Sequence, residues 1–535
     1  MQKTIFTALI LFVTAAAFAQ KAPYNPAIDV QHYGFNLEIS DANDSLFGRA
    51  TITVRFTKPS DAVYFDLINN TDTTRGMMVT GVKEKGKTLS FTHRGDVVTI
   101  RLDKNALANE VRAFEISYKG VPADGLIISK NKWGSRTFFG DNWPNRARNW
   151  LPCKDHLSDK AAVDFIVTAP DHYKVVANGI KTGEKDLPGH LHQTHWKEEA
   201  PLPTKVMVIG VADFAVDHPG AVDGIPVSSW IFPEVKEKGF RDYAQALEIL
   251  PYFIKNVGPY AYKKLANVQS KTIFGGMENA GAIFYYEGSV TGTRKSEALL
   301  AHEIAHQWFG DAATEADWPH IWLSEGFATE MTHLYLESRY GIDTLVKSLQ
   351  TDRKAVIEFT KKKKVPVVDT SAGTNIMQLL NTNSYQKGGW VLHMLRRELG
   401  DDVFWRSIRE YYASFRNRNA YTKDLQNIFE KTSGKNLEVF FNQWLYQPEN
   451  PTLDVSWNYN EATRMVSVTV EQKTAHTFVF PLEVESRRAD GTSTIHQARV
   501  DNRKWNFRFS SATKPTGIRL DPNCNLLFEG SVTEK

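Results

Sequence analysis

Two cysteines in 535 residues cannot build a disulfide framework or a cysteine-only metal site. Cys153 follows a proline in an aromatic-rich stretch and Cys524 lies near the C-terminus, so both are expected as buried free thiols rather than one long-range bridge. An excess of one charge is lacking as well. The 64 Lys and Arg stand against 61 Asp and Glu, a formal charge of +3. Nucleic-acid recognition needs a basic surface that this balance does not supply. The one dense basic run, residues 361–364, reads as a solvated loop. Beyond the first residues no run of about 18 apolar residues occurs, so no membrane-spanning helix is expected. What is present is an ordinary hydrophobic share of 42%, unlike that of disordered chains. At roughly 150 residues per domain, the length suits about three domains.

Residues 1–19 read as an export signal. Lys3 supplies a positive start, residues 5–13 an apolar core, and Ala17-Phe18-Ala19 a small-residue cleavage site. A membrane anchor competes with this reading, but the uncharged stretch is shorter than the roughly 20 residues a span needs. No cysteine sits at the cleavage site to carry a lipid. The expected mature chain starts at Gln20 or Lys21 and is soluble and exported, to the periplasm or the medium.

The hydrophobic period then divides the chain. From Tyr24 to about Asp213 it is two: Ile52, Val54 and Phe56 alternate with Thr51, Thr53 and Arg55. That pattern predicts a large antiparallel β domain over residues 20–215. After about Pro233 the spacing turns helical, in 296–309, 326–340, 389–399 and 402–415, with Thr422 as a helix N-cap and Gly434 as its stop. A mainly helical domain is expected over 216–450. Pro448-Glu449-Asn450-Pro451 breaks the helices, and Val466, Val468 and Val470 open a run of short strands. Residues 451–535 are therefore expected to form a small β-sandwich, and the whole a multidomain α+β protein.

The helical region contains His302-Glu303-Ile304-Ala305-His306. Helix positions i and i+4 share a face, so both imidazoles can reach one metal ion. Glu303 sits about 100° around the helix, close enough to take a proton from a water at that metal. The five residues alone are a modest signal, because chance gives on the order of one match per forty such chains. A helix with two half-exposed histidines therefore competes. A catalytic zinc wants three protein ligands and an open fourth position. Eighteen residues beyond His306, Glu325 stands in Trp322-Leu323-Ser324-Glu325-Gly326-Phe327-Ala328, where it can complete a His₂Glu set.

H-E-x-x-H, eighteen residues, then Glu in a W-L-x-E-G-F-A context resembles the gluzincin aminopeptidases, the aminopeptidase N family. Residues 301–310, AHEIAHQWFG, match that family's motif almost letter for letter. The resemblance implies a thermolysin-like catalytic domain, one Zn²⁺ per chain held by His302, His306 and Glu325, and peptide substrates with a free N-terminus.

Two further strings resemble family elements. Gly275-Gly276-Met277-Glu278-Asn279 matches the G-x-M-E-N exopeptidase motif, whose Glu binds the substrate α-amine. A fixed anion there measures one residue from the chain end to the metal. The glycines would let the substrate backbone approach as an added strand. Ser384-Tyr385-Gln386-Lys387-Gly388-Gly389 resembles the Y-x-K-G-x-x-V-L element, whose tyrosine donates a hydrogen bond to the tetrahedral intermediate. A phenol, neutral at pH 7, suits that task.

One departure concerns the first domain. Counting back from Arg148 and Pro152-Cys153, the family's substrate-binding Gln falls at Asp141, which either pairs with the substrate amine or is a surface-loop residue. Asp311 replaces a common Asn and carries no functional assignment. The resemblance runs through nearly the whole chain and ends where longer members add a helical domain. The expected activity is that of a zinc aminopeptidase in which Glu303 and Tyr385 are catalytic. The competing readings are a zinc epoxide hydrolase-type relative and an inactive peptide-binding module.

Overall fold

The structure, a computed structural model, describes residues 25–70 and 74–535. The segment read as an export signal lies outside the described residues.

The period-two region forms an eight-stranded sheet. Its spatial order is Ile180–Leu187, Leu191–Pro203, Lys160–Pro170, Ile28–Glu38, Leu46–Phe56, Val111–Val121, Gly76–Glu84 and Lys87–Thr88. Alternation sets its faces: Ile52, Val54 and Phe56 are fully buried, while Thr51 and Arg55 are exposed. The sheet departs from a purely antiparallel one at a single pair, where Ile28–Glu38 runs parallel to Lys160–Pro170 with His32 opposite Ala162. A four-stranded sheet beside it includes Arg136–Gly140 and Ile209–Ala212. Both cysteines are buried and free.

A five-stranded mixed sheet follows, in the order Ala215–Val222, Ile225–Ile231, Leu265–Ser270, Ala282–Tyr286, Gly276–Met277. The last of these is an edge strand, antiparallel to Ala282–Tyr286 with Gly276 opposite Tyr285. Nine α-helices occupy the region among the described residues: α1 (Lys236–Tyr243), α2 (Ala246–Asn256), α3 (Glu297–His306), α4 (Trp322–Tyr340), α5 (Ile342–Lys362), α6 (Gly388–Leu399), α7 (Asp401–Phe415), α8 (Thr422–Ser433) and α9 (Glu438–Phe441). Helix α8 ends at Gly434 in the left-handed region as expected, but Thr422 is its first residue rather than its cap. The Thr422 hydroxyl instead accepts from the Trp322 indole at 2.8 Å.

Beyond Pro451 two sheets face each other, Lys504–Ser510, Met465–Gln472, Thr452–Asn460, Glu529–Glu534 against Ser493–Val500, Phe480–Arg487, Gly517–Leu520. Val466, Val468, Val470, Leu482 and Val484 are buried between them. The basic run expected on a solvated loop belongs partly to the end of α5. Lys361 and Lys364 reach Glu529 and Glu449 at 2.7 and 3.0 Å and tie that helix to the sandwich and its entry.

Two lysines cross from the first unit into the helical one. Lys160 Nζ donates to the carbonyls of Asp311 and Ala312 at 3.0 and 2.7 Å. Lys205 Nζ meets Glu315 Oε1 at 2.6 Å, with both side chains buried.

Candidate active-site cleft and metal centre

Helix α3 carries His302, Glu303 and His306; its Leu300, Ala301, Ile304 and Ala305 are buried in the core. Helix α4 packs against it and brings Glu325 from its first turn. The His302 and His306 Nε2 atoms lie 3.1 Å apart. Glu325 Oε2 is 3.5 Å from the first and 3.3 Å from the second. A tetrahedral zinc with bonds of about 2.0–2.1 Å spaces its ligand atoms about 3.3 Å apart. The donor set therefore fits a zinc-type ion in both chemistry and spacing.

The residues around the ligands aim them. His306 Nδ1 faces the Phe309 carbonyl at 3.0 Å and the Ser324 hydroxyl at 3.1 Å. Donation from Nδ1–H to that carbonyl leaves Nε2 as the lone-pair atom facing the ligand set. Gly310 completes this turn with φ of +122°, and a β-carbon there would strike the Ser324 hydroxyl. Burial works against ionisation of Glu325, yet His306 and His302 hold its carboxyl below the usual carboxylate range. Glu303 is different: burial pushes its pKa well above the usual range.

The edge strand Gly276–Met277 lies over α3. Carboxylate oxygens of Glu278 and Glu303 and a ring nitrogen of His306 fall within 4.8 Å of one another. Glu278 is 5% exposed, and its Oε1 is buried without a hydrogen-bond partner among the described residues. Such an oxygen is costly unless a donor arrives. Gln307, to which the sequence reading gave no role, fastens this strand to α3. Its Nε2 donates to the Glu278 carbonyl at 2.7 Å and to Asp311 Oδ2 at 3.0 Å, and its Oε1 accepts from the Gly281 amide at 2.8 Å. Asp311 is thus fully buried behind the site.

The two glycines differ. At Gly275 the β-carbon position is nearly open, its nearest neighbour being Leu299 Cδ1 at 3.8 Å. At Gly276 that position is filled by the Glu303 side chain. Gly276 therefore makes room for Glu303, in addition to lining the cleft on its edge strand. Met277 and Asn279 are buried in the strand and its turn.

Tyr385 lies in a π-helical turn, Asn383–Lys387, which runs into α6. Its ring lies 6.1 Å from that of His302, centroid to centroid. Burial, then the carboxylates of Glu325, Glu278 and Glu303, hold its phenol well above its ordinary pKa, so it stays a donor. The turn is set by a glycine crossing. A β-carbon on Gly326 would lie 2.9 Å from Gly388 Cα, and one on Gly389 3.1 Å from Thr329 Cγ2. Only without those atoms can α6 bring Tyr385 down onto the first turn of α4.

Asp141 is not a surface residue. It is fully buried; Oδ1 accepts from Arg146 at 2.5 Å, and Oδ2 from the Thr272 hydroxyl and Ile273 amide at 3.0 and 3.2 Å. With both oxygens committed, it braces the loop leading to Gly275 rather than offering a free anion, which corrects the substrate-pairing expectation. The side chain that reaches the cleft is Trp143, two residues on, packed edge-to-face on Phe274 with centroids 5.9 Å apart.

These groups share one cleft of about 450 Å³, which Trp143 and Glu278 line together with the metal-ligand set, Tyr385, His333 and Asp352. A larger cavity, about 720 Å³, lies between the sandwich and the helices near Arg397 and Lys435, but holds none of the converging ligand groups. Size does not locate the chemistry here.

Residues 29–206 match the peptidase M1 N-terminal domain and residues 243–444 the peptidase family M1 domain. The chain belongs to peptidase family M1. Among curated relatives, it is 28% identical over 403 residues to probable aminopeptidase 2 of Sulfurisphaera tokodaii, covering 72% of this chain and 50% of that protein. It spans from 35% to 50% of the length of curated relatives it matches. Among solved structures, an M1 zinc metallopeptidase from Deinococcus radiodurans superposes with a TM-score of 0.67 at 23% identity, covering 79% of this chain and 95% of the other. Legionella pneumophila aminopeptidase A in complex with aspartic acid gives 0.81 at 17% identity, covering 94% and 60%. These two likenesses establish the M1 fold, with its β-sheet N-terminal domain, helical catalytic domain and C-terminal strands.

Proposed function

We propose that this M1 member is a zinc aminopeptidase, removing single residues from the free N-terminus of peptides. The observation that carries the reading is the triangle of His302, His306 and Glu325 ligand atoms, spaced 3.1, 3.3 and 3.5 Å, beside two further buried carboxylates. A zinc ion held there supplies Lewis acidity and lowers the pKa of a bound water. Glu303 accepts the proton of the attacking water and passes it to the leaving amine. Tyr385 donates its phenol proton in a hydrogen bond to the developing oxyanion. Glu278 receives the substrate ammonium on its unpartnered Oε1, which fixes the distance from chain end to scissile carbonyl.

The same reading takes residues 1–19 as an export signal, placing the enzyme in the periplasm or medium, with units at 20–215, 216–450 and 451–535 around one zinc. Matched peptides with free and acetylated N-termini test the function. Acetylation removes the cation and adds bulk at Glu278, so kcat/KM should fall on the order of 10³-fold, and a chelator should abolish turnover of the free peptide. Comparable rates on the two peptides would instead indicate a zinc endopeptidase.

A further inference from the structure

The cleft continues beyond the chemistry just described. From Glu325 the face of α4 that carries Thr329, Thr332 and His333 lines it, and α5 adds Asp352. Eight residues of helix put His333 about 12 Å from Glu325 along the axis. There Asp352 Oδ2 lies 3.4 Å from His333 Nε2. His333 Nδ1 faces Glu330 Oε2 at 3.6 Å, and Glu330 Oε1 faces His393 Nδ1 at 3.4 Å. Glu330 and His393 are sealed in the core, while Asp352 keeps 15% of its side chain exposed toward the cleft.

Two features make this end a receptor for positive charge. His333 lies between Asp352 and Glu330, and Glu330 is faced by His393 as well, so His333 is the one basic group facing Asp352. Among the described residues the one donor that approaches the Asp352 carboxylate is His333 Nε2, at 3.4 Å, and its charged neighbours are His333 and Glu330. A half-buried carboxylate short of donors gains most from an arriving cation. With the substrate amine at Glu278 and the scissile carbonyl at the ligand triangle, the part of the peptide left to extend along α4 is the part beyond the scissile bond.

We propose that Asp352, oriented by His333, selects peptides whose second residue carries a positively charged side chain. The inference rests on the aminopeptidase reading and adds to it the identity of the residue after the cut. His333 is a positioning residue in this arrangement, and Asp352 makes the contact.

The test compares kcat/KM of the full-length zinc enzyme on Ala-Lys-Ala, Ala-Leu-Ala and Ala-Glu-Ala, with wild type and Asp352→Asn. The Lys/Glu ratio should be roughly ten- to a hundredfold in wild type and fall to within a fewfold in the variant. A ratio taken within one preparation does not depend on how much of the variant has folded. A flat wild-type ratio would overturn the inference and leave the aminopeptidase reading intact. So would a ratio that survives Asp352→Asn, or a loss that follows the first residue when Lys-Ala-Ala and Leu-Ala-Ala are compared. No release of the first residue from any of these peptides would overturn the aminopeptidase reading and the inference together.

Discussion

The carboxylate of Glu303 occupies the space in which any residue but glycine at position 276 would carry its β-carbon. An edge strand and a helix side chain thus fill one volume, and the position of the proposed base is set by an atom that is missing.

Gly276→Ala should therefore act on turnover. The new methyl must displace Glu303, and a shift near 1 Å in a reacting group can cost about 10²-fold. Zinc content, measured by elemental analysis, should stay at about one per chain, because none of the three ligands moves. Full activity in this variant would mean that Glu303 is not held where the chemistry needs it.

Glu303→Gln and Tyr385→Phe separate two roles. The amide cannot accept a proton, so Glu303→Gln should keep its metal and lose roughly 10²–10⁴-fold in kcat. Tyr385→Phe removes a bond made mainly in the transition state and should lower kcat with little change in KM. A pure KM effect would make Tyr385 a substrate-binding residue instead.

Glu325→Ala tests the metal centre. The variant loses the anionic ligand that holds its place between two imidazoles, and zinc should be lost on dialysis against a chelator that leaves the wild type loaded. Retention of full zinc would remove Glu325 from the ligand set.

Gly388→Ala probes the crossing of α4 and α6. An added β-carbon would lie 3.0 Å from Gly326 Cα, so the two helices must part. Overpacking of this kind costs about 1–3 kcal/mol, readable by denaturant unfolding. Activity should fall further than stability alone requires, because Tyr385 rides on the same turn.

What the sequence made legible follows the range of the interactions. His302 and His306 are one helical turn apart, so their convergence could be read directly, and the family resemblance supplied Glu325. The alternation that built the large sheet was equally local. The role of Asp141 stays open in the sequence because its partners Thr272 and Ile273 lie 131 and 132 residues away, where no pattern in the chain points to them. Gln307 belongs to the run 301–310 around the two histidines, yet nothing local says that its amide would meet the Glu278 backbone 29 residues upstream. The parallel pair in the first sheet was invisible for a related reason: alternation reports which face is buried, not the direction of the neighbouring strand.

Lys160 and Lys205 have a consequence for how this protein can be cut or recombined. Each leaves the β-sheet half to satisfy acceptors of the helical half, Lys160 at the carbonyls of residues 311 and 312, Lys205 at the buried carboxylate of Glu315. A gene fragment beginning near residue 216 would leave that carboxylate without its lysine, on the segment that follows the second histidine. The boundary at which hydrophobic periodicity changes is therefore not a seam along which the two halves come apart. They have to be inherited together, and a chimera that exchanges one should carry its lysines with it.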